Sequence, residues 1–263
     1  MEIFRKMSFA DSTGDAIPFY HEGKYHIFSL TSPPGTTVYP ERLRTTWSHS
    51  ISDDLVHWQE LPTALYPGEG DEPDASGVWT GSVIYGEGQY HAFYTGYCLT
   101  AEFQQTICHA TSDDGITWTK DIANPVITPM TELYEKLDWR DPYVFYNEED
   151  ENYWILISAR RLDMPVTRRG CIVLYRSKNL KDWTYYGPIY SPGHTNCPEC
   201  PEMYKMGGHW YLSYSRFSEF VNTIYRVSES PFGPWRKPKK DGIGGRRFYA
   251  AKSMQNDDGR RFY

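Results

Sequence analysis

One motif, met four times, constrains this chain more than any other feature. "SISDDLVHWQEL" holds Trp58, "ATSDDGITWTKD" Trp118, "YRSKNLKDWTYYG" Trp183 and "RVSESPFGPWRK" Trp235, and each reads as a serine, a turn and a tryptophan. The tryptophans lie 60, 65 and 52 residues apart. That period is too long for most solenoids and suits four-stranded propeller blades with generous loops. A strand precedes each motif ("RTTWSHS", "TICHATS", "CIVLYRS", "TIYRVSE"), and a hairpin precedes that strand, as in "GSVIYGEGQYHAFYTGY". The tryptophans themselves are read as packing residues between sheets.

Composition agrees. Aromatic residues make up 16% of the chain, 22 of them tyrosine, and Gly and Pro recur every dozen residues or so, which is a many-stranded β pattern. Helical periodicity is close to absent; "TELYEKL" at 131–137 reads as a short turn within a loop. With 263 residues and 40% hydrophobic content, a single large domain spanning 1–263 is expected. First strands are expected near 15–20, 80–85, 141–146, 199–204 and 249–254. The fold expected is therefore an all-β, five-bladed propeller whose last blade is unfinished at "DDGRRFY".

Several function classes are disfavoured. The net charge is −7 and the 27 Lys and Arg are scattered, which is not the cationic footprint of a nucleic-acid binder. No window approaches 18 consecutive apolar residues and the opening residues lack an apolar leader, so no membrane partner and a cytoplasmic location are expected. Of the five cysteines only Cys197 and Cys200 form a close pair, with no second pair or ligand histidine at zinc spacing. No metal and no cofactor are expected, the partner is a small molecule or oligosaccharide, and the oligomeric state is left open.

The first strands carry the chemistry. They align on an aromatic or apolar pair: Phe19-Tyr20, Ile84-Tyr85, Phe145-Tyr146, Met203-Tyr204 and, least regular, Ser253-Met254. Five residues before the second member stand Asp15, Thr80, Asp141, Glu199 and Tyr249, three of them acids. First strands of a propeller line its central channel, so equal register brings these residues to one axis. Crowded, partly buried carboxylates raise one another's pKa, and a protonated acid beside an ionised one is what glycoside hydrolysis requires. Arg140 offsets part of the repulsion, and the proline after Asp141 suits a strand start that need not donate to the ladder.

These residues resemble glycoside hydrolase family 32, the β-fructosidases that include invertases, inulinases and levanases. "WRDPYVF" is similar to the family's Arg-Asp-Pro motif, which implies Asp141 as the transition-state stabiliser. "PECPEMY" is similar to its Glu-Cys-Pro motif, which implies Glu199 as general acid/base; "WSHSISDDLVHWQELPTALYP" and "GVWTGSVI" also resemble family segments. The resemblance implies Asp15 as nucleophile, a fructosyl pocket shaped by Trp47, Trp79, Ser82 and Arg140, and release of terminal β-fructofuranosyl units from sucrose or fructans with retention. The family's Asn-Asp-Pro-Asn-Gly is replaced by "STGDAIPFYHEG", so Asp15 rests on register, with Asp11 as fallback. The family's usual C-terminal β-sandwich is not in the sequence, which reads as C-terminal truncation. "SPFGPW" and "GDAIPFYHEG" resemble the inverting family 43 propellers acting on arabinofuranosides and xylosides, one alternative; a propeller that binds sugar without cleaving it is another.

Overall fold

The computed structural model describes residues 12–36, 38–217, 220–245 and 247–263. The chain divides into two compact units, one comprising residues 1–127 and 252–263 and the other residues 128–251. In the first, β1 (Thr13–His21), β2 (Lys24–Thr31), β3 (Thr46–Ser52) and β4 (Trp58–Leu65) form one antiparallel sheet in sequence order. A second sheet follows: β5 (Gly77–Gly86), β6 (Gln89–Tyr97), β7 (Gln105–Ser112) and β8 (Thr119–Lys120). In the second unit β9 (Arg140–Asn147), β10 (Asn152–Arg160), β11 (Gly170–Ser177) and β12 (Thr184–Tyr190) repeat the pattern, and β13 (Glu199–Met206), β14 (His209–Arg216) and β15 (Asn222–Ser228) give it with three strands.

The repeated motif is a turn with a hydrogen-bonded reason for each residue. Ser52 Oγ accepts the amides of Asp54 (3.1 Å) and Leu55 (2.9 Å), while Asp54 Oδ1 accepts those of Val56 and His57, both at 2.8 Å. Ser112 and Asp114 do the same before Trp118, and Ser177 and Asn179 before Trp183. Ser228 and Ser230 give a longer version before Trp235. Short polar side chains thus satisfy backbone donors that the ladder no longer reaches, at about 0.5 to 1.5 kcal/mol per bond. The "SPFGPW" segment is the fourth copy of this turn.

Trp58 opens β4, and Trp118 and Trp183 stand directly before β8 and β12. Trp118 stands edge-on to Phe28, with ring centroids 5.9 Å apart, on a core shared by the first two sheets, including Ile17, Trp47, Val78 and Tyr94. Trp235 packs on the core of the other unit, which includes Trp154, Leu174, Met203 and Leu212. The fourth sheet lacks a continuous outer strand because only isolated bridges, Val227 to Arg236 and Ile224 to Gly242, form beside β15.

One expectation changes and one holds. Residues 249–253 are not a strand; in place of the fifth first strand, β16 (Met254–Gln255) pairs with β17 (Arg261–Phe262), so among the described residues the fifth repeat is a two-stranded ribbon. The 131–137 loop holds one turn closed by the amides of Leu133 and Tyr134 on Met130 O, both at 2.9 Å, before Tyr134 bridges Arg161.

Candidate active site

Every first strand breaks its ladder near its start. In β1, Gly14 pairs with Leu30 and Ala16 with Ser29, leaving Asp15 out of register; in β5 Thr80 is left out between Trp79 and Gly81. In β9 the pairs Arg140–Ser158 and Tyr143–Leu156 leave Asp141 and Pro142 opposite Ile157 alone. In β13 Glu199–Ser215 and Glu202–Ser213 leave Cys200 and Pro201. Proline has no N–H to give the ladder, and Asp141 (φ 58°) and Cys200 (φ 49°) take up the left-handed backbone that the bulge requires. The charge pair and proline that open this strand are therefore what re-aims its acid.

The bulges correct the register expected for Glu199. In both β9 and β13 the break takes the second and third of eight residues, but Met203-Tyr204 stands one residue nearer it than Phe145-Tyr146 does, so Cys200 takes the place of Asp141 and Glu199 that of Arg140. The two acids are offset by one residue along their strands. That offset lets them meet through Arg140.

In the second unit Arg140 stands among acids. Its Nη2 donates to Glu199 Oε1 at 2.8 Å, its Nη1 to Asp138 Oδ1, and its Nε lies 3.7 Å from Asp141 Oδ2. The Tyr249 hydroxyl donates to Glu199 Oε2, and the Cys200 amide donates to Asp141 Oδ2 at 2.9 Å. Behind them Arg160 Nη1 holds Asp138 Oδ2 at 2.9 Å and Glu135 Oε2 at 3.0 Å, and Arg169 pairs with Glu135. The charges alternate. The offset expected of Arg140 is thus extended by Arg160 and Arg169, and the acids of this unit are separated by guanidiniums.

Burial raises the Asp138 carboxyl, but Arg140 and Arg160 outweigh it and hold the pKa below the ordinary value. Burial works against the Arg140 charge too, yet Cys197, Asp141, Asp138 and Glu199 around it push its pKa well above the usual one. Burial and then the charge of Glu199 raise the Tyr249 phenol, which stays a donor across the working pH range. The Cys197 thiol, raised well above its ordinary pKa chiefly by burial, is an inert neighbour of Arg140.

The first unit holds the remaining expected residues. Half-buried Asp15 has φ 22° and accepts a hydrogen bond from the Thr80 hydroxyl, its counterpart on β5. Trp47 is buried in the core; its Nε1 donates to Trp79 O at 2.9 Å, so it supports Trp79 from behind rather than offering an open face. Trp79 is stacked on Tyr97 at 4.0 Å and donates Nε1–H to Leu43 O at 3.1 Å. Ser82 is buried on β5 beside Phe93. Asp11 lies outside the described residues.

Sequence reasoning missed Asp138, Arg160 and Glu135, which hold Arg140 in place, and did not assign a role to Tyr249 or Lys252. Asp138 could have been found, two residues before Arg140 and so on the same side of an extended segment. Buried Lys252, whose Nζ donates to Gly81 O, lies outside any strand and had no register to reveal it.

Comparison with known proteins places this architecture in a class. A solved structure, a family 32 β-fructofuranosidase of Bombyx mori, superposes with a TM-score of 0.76 at 25% identity over 95% of this chain and 53% of that one. The fold is that of an all-β propeller. The sequence profile of the "Glycosyl hydrolases family 32 N-terminal domain" matches residues 15–263, and the chain belongs to this family. It is 30% identical to a raffinose invertase of Escherichia coli over 92% of this chain and 52% of the relative, and 27% identical to a sucrose-6-phosphate hydrolase of Zymomonas mobilis over 92% and 50%. The chain thus spans about half the length of the curated relatives it matches. None of these matches concerns family 43.

Proposed function

We propose that residues 1–263 form a single catalytic domain, a five-bladed propeller with the β16–β17 ribbon in its fifth blade, that releases terminal β-fructofuranosyl units from sucrose or fructans. The observation that carries this reading is Arg140, bonded to Glu199 and Asp138, beside an Asp141 carboxylate fixed by the Cys200 amide. Two acids from neighbouring first strands are held at ladder breaks, with the oxygens of one gripped by Arg140 and Tyr249. Such fixed carboxyls are the equipment of glycoside hydrolysis. Family membership and the sucrose-6-phosphate hydrolase and raffinose invertase relatives support the substrate class.

In this reading Asp15 attacks the anomeric carbon while Glu199 donates its proton to the departing oxygen. The C–O bond to the leaving sugar breaks as the bond to Asp15 forms. Glu199, now a base, takes a proton from water, which attacks the fructosyl ester and restores Asp15 with configuration retained. Asp141, already bound by the Cys200 amide, accepts hydrogen bonds from sugar hydroxyls that tighten in the transition state. Trp79, Ser82 and Arg140 shape the pocket, and Trp47 backs Trp79. Retention requires the Asp15 and Glu199 carboxyls to stand about 5 to 5.5 Å apart.

The test is product analysis after incubation with sucrose, inulin, levan and an arabinofuranoside. Fructose release from sucrose or a fructan that is lost in Asp15→Asn supports the reading. Release of arabinose alone, or binding with no release, overturns it.

A further inference from the structure

The third sheet carries a second cleft that the proposed chemistry does not use. Its volume is about 420 Å³, and it is lined by Asn152, Arg176, Lys178, Asn179, Asp182 and Thr184 among others. These residues come from the start of β10, the end of β11, the Ser-turn-Trp turn and the start of β12, all at the hairpin end of the sheet. Arg140 and Asp141 open β9 at the other end. Eight residues of extended strand, about 25 Å, separate the two.

The lining is balanced in charge. Arg176 is paired with Asp150 at 3.2 Å, Lys178 donates to the Glu151 carbonyl at 2.5 Å, and Asp182 accepts from the Asn179 amide at 2.8 Å, so the two cations are matched by two carboxylates. What faces a ligand is a mixed set of amide, hydroxyl, ammonium, carboxylate and guanidinium groups. Arg176 also covers Tyr186 at 4.7 Å, and Tyr186 packs on Phe232 at 5.3 Å; both rings are more than 40% exposed. Polar groups held in fixed positions beside exposed aromatic surface suit a neutral polyhydroxyl ligand, and the volume is at the lower end of that of small-ligand sites.

We propose that this cleft is a second carbohydrate site, holding one or two residues of a neutral polysaccharide chain away from the catalytic acids. Affinity electrophoresis in native gels containing inulin, levan or dextran tests it without needing turnover, so the outcome is separable from that of the proposed activity. Thr184→Trp fills the cleft from an exposed strand position, and Lys178→Ala leaves the buried network intact. At least one polysaccharide should retard the wild-type chain. Thr184→Trp should weaken that retardation about tenfold in apparent Kd, with melting temperature and sucrose turnover at wild-type values. Absence of retardation by all three polymers, or equal retardation of wild type and Thr184→Trp, overturns the proposal. A fall in melting temperature with Thr184→Trp passes the decision to Lys178→Ala, for which weaker retardation supports the site and unchanged retardation overturns it.

Discussion

Replacing Arg140 by glutamine removes the cation that three carboxylates share while keeping a planar polar group of similar reach. The Arg140 side chain is 13% exposed, with Glu199 at 2.8 Å, Asp141 at 3.7 Å and Asp138 in direct contact. Removing one partner of a buried ion pair costs about 3 to 5 kcal/mol, because the charge left behind is desolvated. The losses do not add per carboxylate: Asp138 keeps Arg160 at 2.9 Å and Glu199 keeps the Tyr249 hydroxyl. The whole cost should therefore stay near 3 to 5 kcal/mol, which for a chain of this size lowers the melting temperature by about 6 to 20 °C. The deficit carries a pH signature. Arg140 and Arg160 hold the Asp138 carboxyl below its ordinary value, so the linked stability is present above about pH 4 and is lost as pH falls through the folded-state pKa. Melting followed by circular dichroism at pH 7.5 and at about pH 2.5 should show a large difference between Arg140→Gln and wild type that shrinks at the lower pH. A loss under about 3 °C at pH 7.5, or a deficit that does not depend on pH, would refute the role given to this network.

Other outcomes follow from the same structure. His26 and His49, 2.9 Å apart on β2 and β3, are pushed down by burial to about 4 and about 3. Their unfolded forms protonate near pH 6.5 and the folded ones do not, so denaturant titrations should show stability falling by about 1.4 to 2.7 kcal/mol per pH unit from 6.5 toward 4. A flat profile would contradict it, and His49→Phe should reduce the slope. Gly81 has no room for a side chain, since an added Cβ would lie 2.0 Å from Phe93 O; Gly81→Ala should yield little folded protein by circular dichroism and gel filtration, and a native-like melt would refute that. Trp118→Ala empties the contact with Phe28 and should cost about 3 to 5 kcal/mol in urea unfolding, whereas a loss under 1 kcal/mol would assign the packing elsewhere.

The sheets were legible because their signal is local. A serine, an Asx or second serine and a tryptophan lie within eight residues, and their hydrogen bonds close inside that window. Asp141 was legible for the same reason, since the proline beside it marks the break. Where the fifth repeat departs, locality fails: the Ala250 amide donates to the Ser215 hydroxyl, across 35 residues, instead of joining a ladder. Glu199 was found, but its partner was not foreseen in full, because register counted back from the aromatic or apolar pair does not show that the bulge of β13 sits one residue closer to that pair than the bulge of β9 does. Trp47 reads as a pocket residue in sequence and packs as core, since a tryptophan on a strand serves either face. The chain of Glu135, Asp138 and Arg160 joins a loop to the end of β10, and no periodicity reports such a meeting.

In the proposed reaction Asp15 and Glu199 divide the work of nucleophile and acid/base. Glu199→Gln should accumulate a covalent intermediate from β-fructofuranosyl fluoride, whose leaving group needs no proton, because the variant lacks the base that activates water. Mass spectrometry of the acid-quenched, digested variant reads the claim directly. One fructosyl residue on the peptide containing Asp15 is the expected result; the same adduct on a different acid, or fructose release with no adduct at all, would contradict it.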